Sequence, residues 1–213
     1  MNRLSEGLNI DQLNSGTSQG EKVLDRTRYL EMYGIDGKDF DAIAMALPSV
    51  VTFGKGEAIG RREFFREKNT EPSLPNKEFP LKTEAMDITT IRVDVDVNFA
   101  STKQASLEKE YFFLKNSVLK TTLNRVGGLS VPLEHCVPYV IEYADDQYTK
   151  KMVRDGFRLP STIAVNMGGM LEIALDPGRG FTTDATAGNV DPVGYNRITV
   201  TLLGRTITPR IQT

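Results

Sequence analysis

The chain has 213 residues, 39% hydrophobic and 25% charged, which suffices for one sizeable core and leaves no room for several large domains. With 26 Lys and Arg against 28 Asp and Glu the formal net charge is -2, so no global positive field draws the chain to nucleic acid. One cysteine, Cys136, excludes an internal disulfide; one histidine, His135, excludes a multi-histidine metal centre; and no C-x-x-C pair offers zinc ligands.

Residues 1–20 are rich in Asn, Ser, Gly and Gln, with Leu4, Leu8, Ile10 and Leu13 isolated among them, and predict an extended arm that cannot build a core. This N-terminus lacks the apolar centre of a signal peptide, and no run of about 18 apolar residues follows, so the expectation is a chain made in the cytoplasm with no membrane-spanning segment. Residues 21–47 predict a short helical segment. Asp39 stands at a capping position ahead of Phe40, Ile43, Ala44 and Leu47 at helical spacing, with breaks at Gly34, Gly37 and Pro48.

From residue 48 to 213 the hydrophobic period falls towards two, which predicts a β-rich domain. SVVTFG and EAIGRREFFRE flank Gly54-Lys55-Gly56, expected as a hairpin turn, and NTEPSLPNKEFP reads as an exposed crossing loop. Ile91, Val93, Val95, Val97 and Phe99 then alternate with Thr90, Arg92, Asp94, Asp96 and Asn98, the signature of a half-buried strand. The D-x-D-x-N spacing from Asp94 to Asn98 invites a calcium loop. An EF-hand loop beginning at Asp94 needs Gly at its sixth position and Glu at its twelfth, where this chain has Phe99 and Ala105. A solvated strand face is the better reading, with a weaker ion site at Asp94 and Asp96 as the alternative.

The segment from Leu107 to Val126 fits two structures. Leu107, Tyr111, Leu114 and Val118 have helical spacing, whereas Asn116-Ser117 between apolar runs suits a hairpin, and the abundance of Phe, Tyr, Val and Thr favours strands. LSVPLEHCVPYVIEYA, broken by Pro132 and Pro138, suits edge strands. Asp145 to Asp155 predicts a short helix with Asp145 as cap, Tyr148 and Met152 on one face and Gly156 as stop. TIAVNM, MLEIALD and NRITVTLLG are strand-like again, separated in part by a turn-rich loop from Asp176 to Tyr195 that is long for a compact domain.

The candidate chemistry is thin. Consecutive residues on a strand face opposite ways, so His135 and Cys136 could cooperate as base and nucleophile only if the backbone were kinked between Pro132 and Pro138, and a buried thiol is expected. No G-x-S-x-G elbow is present. Gly54-Lys55-Gly56 with Gly60 is not a phosphate loop, since G-x-x-x-x-G-K-[ST] is unmet and a strand follows. Arg61, Arg62, Arg66 and Lys68, with Phe64 and Phe65 interleaved, form the densest basic cluster; nucleic acid or an acidic partner is conceivable there, but Glu57, Glu63 and Glu67 dilute the charge. Glu142, Asp145 and Asp146 suggest a carboxylate pair and read better as helix capping. No catalytic, cofactor-binding or metal-ligating residue is assigned, and the chain is read as a non-enzyme without a cofactor.

Seven to nine predicted strands with few helices give the fold class: mainly β, an antiparallel β-sandwich with short N-terminal helices and an extended arm, its short connections allowing a jelly roll. The closing stretches LPSTIAVNMGGMLEIALD and YNRITVTLLGRTITPR, two long strands around an elaborated loop, resemble jelly-roll structural proteins of virus and phage particles. The resemblance implies a virion or capsid component that self-assembles as a homo-oligomer. Its partners would be other copies of itself and other structural proteins, met through the arm and the loop from Asp176 to Tyr195. The alternatives are a carbohydrate-type ligand-binding β-sandwich and a carboxylate-based hydrolase.

Overall fold

The computed structural model describes residues 40–66, 85–125, 128–166, 168–186 and 196–209. In chain order the elements are β1 (Phe40–Phe53), β2 (Ala58–Ile59), β3 (Arg62–Phe64), β4 (Ala85–Asp96), α1 (Lys103–Asn116), β5 (Ser117–Leu123) and β6 (Gly128–Pro132). There follow α2 (Leu133–Cys136), β7 (Tyr139–Ala144), β8 (Gln147–Met152), β9 (Phe157–Val165), β10 (Leu171–Pro177), β11 (Phe181–Thr182) and β12 (Asn196–Pro209). The chain is mainly β, and among the described residues every strand pair is antiparallel. One four-stranded sheet runs β1-β12-β4-β9 and a second β3-β10-β5-β6, with two-stranded ribbons β11-β2 and β7-β8 beside them.

Counting only the eight strands of the two large sheets, the orders become first-eighth-third-sixth and second-seventh-fourth-fifth. Each of the pairs first-eighth, second-seventh, third-sixth and fourth-fifth is hydrogen-bonded, as if one long antiparallel hairpin had been rolled up.

The alternation of β4 carries straight into burial. Ile91, Val93, Val95, Val97 and Phe99 are buried at 7% exposure or less, while the residues between them stay half-buried or exposed. In β12, Ile198, Val200 and Leu202 do the same. These side chains share one buried cluster with Phe64, Leu119, Val131 and Ile173 of the second sheet, as an antiparallel β-sandwich requires. One end of this core is closed by Phe99, Phe113 of α1 and Phe181 of β11, with ring centroids 5.2 to 6.4 Å apart. Burying a ring such as Phe113 contributes about 2–3 kcal/mol.

Several local expectations are corrected. Residues 40–47, expected as helix after a cap at Asp39, are the first half of β1, paired residue by residue with β12 from Phe40↔Pro209 to Phe53↔Asn196. Ala, Met and Leu favour helix in isolation, and a fourteen-residue ladder overrides that preference. Pro48 does not break the element: β1 lies at a sheet edge, where a residue without an N–H is tolerated. Residues 1–39, including the predicted arm, lie outside the described residues, as do the crossing loop of residues 69–80 and the loop residues 187–195.

Gly54-Lys55-Gly56 is a turn, but β1 and β2 do not pair; β2 joins β11 instead. The leaning towards strands for residues 107–126 is wrong for its first half. Lys103–Asn116 is α1, capped by Thr102, and β5 begins at once with Ser117. The buried face of α1 is Leu107, Glu110, Phe113 and Leu114, and a carboxylate in the apolar stripe hides the helical period. Asp145–Asp155 is no helix. Asp145 and Asp146, with φ of 50° and 58°, form the two-residue turn of the β7-β8 hairpin, where both central positions need positive φ. His135 and Cys136 lie in the short turn α2 rather than on a strand. The edge reading of this region does hold, since β6 ends its sheet and β7 belongs to a two-stranded ribbon.

Candidate functional site

Most chemistry-bearing residues singled out in the sequence are engaged in pairs with one another. Asp94 accepts from Arg92 at 2.9 and 3.1 Å, and Asp96 meets Arg197 at 3.3 Å. The Arg92 guanidinium is held above its ordinary pKa, first by the Asp94 hydrogen bond. The basic cluster is balanced in the same way. Arg61 sits 3.5 Å from Glu63, Arg62 bonds Glu57 at 2.6 Å, and Arg66 bridges Glu63 and Glu172. Lys120 of β5 bonds Asp176 of β10 at 2.6 Å. Phe64 and Phe65 point into the core at 1% and 2% exposure, so no aromatic ring is offered to a base. Lys68 lies outside the described residues.

Cys136 is fully buried and His135 exposed, so the two do not share an environment. Burial pushes the Cys136 thiol up to about 12, with Arg154 pulling weakly the other way, which leaves it protonated and a poor nucleophile. Glu142, Asp145 and Asp146 are exposed on the β7-β8 hairpin. Among the described residues no group of three or more His, Cys, Asp and Glu is placed to hold a metal ion, and no helix is long and apolar enough to cross a membrane.

The described part of the Asp176–Tyr195 loop is tied to the body. Thr183 donates its hydroxyl to the Gly54 carbonyl at 2.6 Å and accepts from the Glu57 amide at 3.0 Å, and the Asp184 amide bonds the Asn98 carbonyl at 2.7 Å. Asp184 accepts from the Thr186 amide and hydroxyl, which hold its carboxyl below the usual range.

The arrangement that sequence reading missed lies on the flank formed by α1 and the β7-β8 hairpin. Glu110, buried on α1, accepts hydrogen bonds from the Tyr139 hydroxyl and from Lys150 Nζ, the latter at 2.8 Å. Lys150 Nζ also lies 3.6 Å from the Tyr139 ring centroid. Desolvation, followed by the nearby Glu110 charge, holds the Tyr139 phenol well above its ordinary pKa, so it stays neutral. Gln104 bonds both backbone groups of Tyr148, at 2.8 and 3.2 Å, imitating a third strand.

Outward from this latch runs a row of aromatic rings. Tyr143 and Tyr148 are 4.8 Å apart, Tyr148 and Tyr111 5.9 Å, and Tyr111 and Phe112 5.4 Å. Tyr143 and Phe112 are 59% and 47% exposed. A pocket of about 230 Å³ opens beside it, lined by Tyr111, Lys115, Glu134 and Arg154 among others. Lys115 and Glu134 pair across it at 2.5 Å, and Arg154 donates to the Glu134 and Val137 carbonyls. On this flank the charges of Glu110, Lys150, Lys115 and Glu134 are paired and the Tyr139 phenol is neutral. The signal present in the sequence is Glu110 at helical spacing between Leu107 and Leu114. No family model matches the chain, and no curated protein matches it.

Proposed function

We propose that this chain is a jelly-roll structural protein that assembles with copies of itself, as a virion or capsid component does. The observation that carries the reading is the strand order of the two sheets, with first paired to eighth, second to seventh, third to sixth and fourth to fifth. That is the order two Greek keys adopt in a double-sheet roll, an architecture used by viral capsid and lectin domains. Two further features favour assembly over catalysis. Arg62, Arg92, Arg197 and their carboxylates Glu57, Asp94 and Asp96 are engaged in structural pairs, and large apolar side chains stay exposed at Ile43, Phe112, Tyr143, Met152 and Val153. The test is mass in solution by light scattering, for the full chain and for the chain lacking residues 1–20. Defined oligomers or particles that weaken on deletion are expected. A monomer in both cases overturns the reading.

A further inference from the structure

The exposed edges of the sheets are not treated alike. β3 is three residues long, flanked by Arg61 and Arg66; β6 ends in Pro132; β9 carries Arg158 and Pro160; and β8 carries Lys150 and Lys151. Short length, proline and cations are the devices that keep an edge from pairing with another chain. Among the edges of the two four-stranded sheets, β1 is the exception over the stretch before Pro48. From Ala42 to Leu47 it reads AIAMAL with no charge, Ala42 to Ala44 and Ala46 are exposed, and Ile43 is 59% exposed.

Pro48 fixes the direction of the backbone. It has no N–H for the ladder with β12, so its nitrogen faces the outer edge. Amides alternate along an antiparallel strand, and the register with β12 is unbroken, so Ala42, Ala44 and Ala46 turn their N–H and C=O groups outward as well. Among the described residues no strand lies along that side.

We propose that this edge pairs with the same edge of a second copy, antiparallel and centred on Ala44, which deepens and rests on the assembly reading. Outward-facing amides must meet outward-facing amides, which restricts the register to even steps. Centring on Ala44 matches Ala42 with Ala46 of the second copy and Ala44 with itself, so the three outward residues satisfy one another. Asp41, the one charged residue of β1, then falls opposite Leu47 and meets no like charge, and Pro48 closes the ladder beyond it. Ile43 comes to lie opposite Met45, whose side chain already packs against the core, so the apolar row of the sheet continues across the contact.

The register makes the test specific. Directly opposed Cα atoms stand about 5.5 Å apart, within the span of a disulfide at roughly 4.4–6.8 Å. Ala44→Cys should therefore form a covalent dimer under mild oxidation, with Cys136 buried and out of reach. Ala42→Cys alone should not, because its two copies stand about 14 Å apart. Ala42→Cys mixed with Ala46→Cys should cross-link. In parallel, Ala44→Lys and Ala44→Glu should each weaken association several-fold, and mixing them should restore it. Absence of the Ala44→Cys dimer, or equal cross-linking through Ala42→Cys alone, overturns the edge. If the wild type is still oligomeric by light scattering, the assembly reading survives that failure; a wild-type monomer with no cross-link overturns both.

Discussion

The latch between α1 and the β7-β8 hairpin makes a quantitative prediction that runs against exposure. The Glu110 side chain is 6% exposed and that of Lys150 34%. Truncating Glu110 to Ala strands Lys150, which turns into water at little loss because it is already one-third exposed. It also leaves the buried Tyr139 hydroxyl without its acceptor, a loss of about 1–3 kcal/mol. Replacing Lys150 by Met strands the Glu110 carboxylate, which has no route to water and keeps only the Tyr139 hydroxyl as partner. An uncompensated buried charge destabilises by about 3–5 kcal/mol. Lys150→Met should therefore be the more damaging change, although it removes the more exposed residue.

The double variant Glu110→Gln with Lys150→Met should recover most of that loss, since a neutral amide still accepts from Tyr139 and needs no cation. Urea unfolding of Glu110→Gln, Lys150→Met and the double closes the cycle, with Glu110→Ala measured beside it. Lys150→Met should lower the midpoint temperature by roughly 6–20 °C at the usual 2–4 °C per kcal/mol for this chain length. Hydrogen exchange should localise the damage to peptides spanning residues 139–152 and leave β12 protected. A double variant no more stable than Lys150→Met, or Lys150→Met milder than Glu110→Ala, would refute the reasoning.

Two further changes test other parts of the fold. Cys136 is neutral in folded and unfolded chains below the free thiol's value of 9.0; between there and about 12 the unfolded thiol ionises and the buried one does not. Stability should then fall as pH rises, by about 1.4 kcal/mol per pH unit, and this extra slope should vanish in Cys136→Ala; equal slopes for both chains from pH 8 to 10.5 would defeat the account. At the hairpin turn, Asp146→Gly exchanges an L residue at φ 58° for one that adopts it freely, at the loss of an exposed Tyr143 bond. A gain of about 0.5–1 kcal/mol is expected in thermal unfolding, and a lowered midpoint would count against the turn.

Sequence discloses most where a single period acts alone. From Ile91 of β4 and from Ile198 to Leu202 of β12 the residues alternate, so the alternation by itself names those buried rows residue by residue; it does not reach Ala85–Ile88, all buried, or the register shift at Leu203 and Gly204. The paired state of the Arg61–Arg66 region is equally legible, because the diluting Glu57 and Glu63 sit within the same short span. Partners distant in sequence are not. Glu110 depends on Tyr139 and Lys150, some 29 and 40 residues away, and on its own reads as a flaw in a helical stripe. Asp145-Asp146 carries the turn without the glycine that usually marks it, so its acidic pair imitates a helix cap.

The misreading of residues 40–47 and the proposed contact share one cause. A strand written AIAMAL has low intrinsic strand preference, since Ala, Met and Leu favour helix, and its extended form depends on the partner that pairs with it. β12 supplies one such partner along the whole of β1. The other edge, past Pro48 towards the N-terminus, has small uncharged residues where the remaining edges of the two large sheets have prolines, cations or little length. Helix-favouring alanines leave the strand dependent on pairing, and the missing charges leave its edge open to it. An Ala44→Lys chain tests both halves of that account at once. Its fold should hold, because the substitution lies on an exposed face already paired to β12, while association between copies should weaken several-fold.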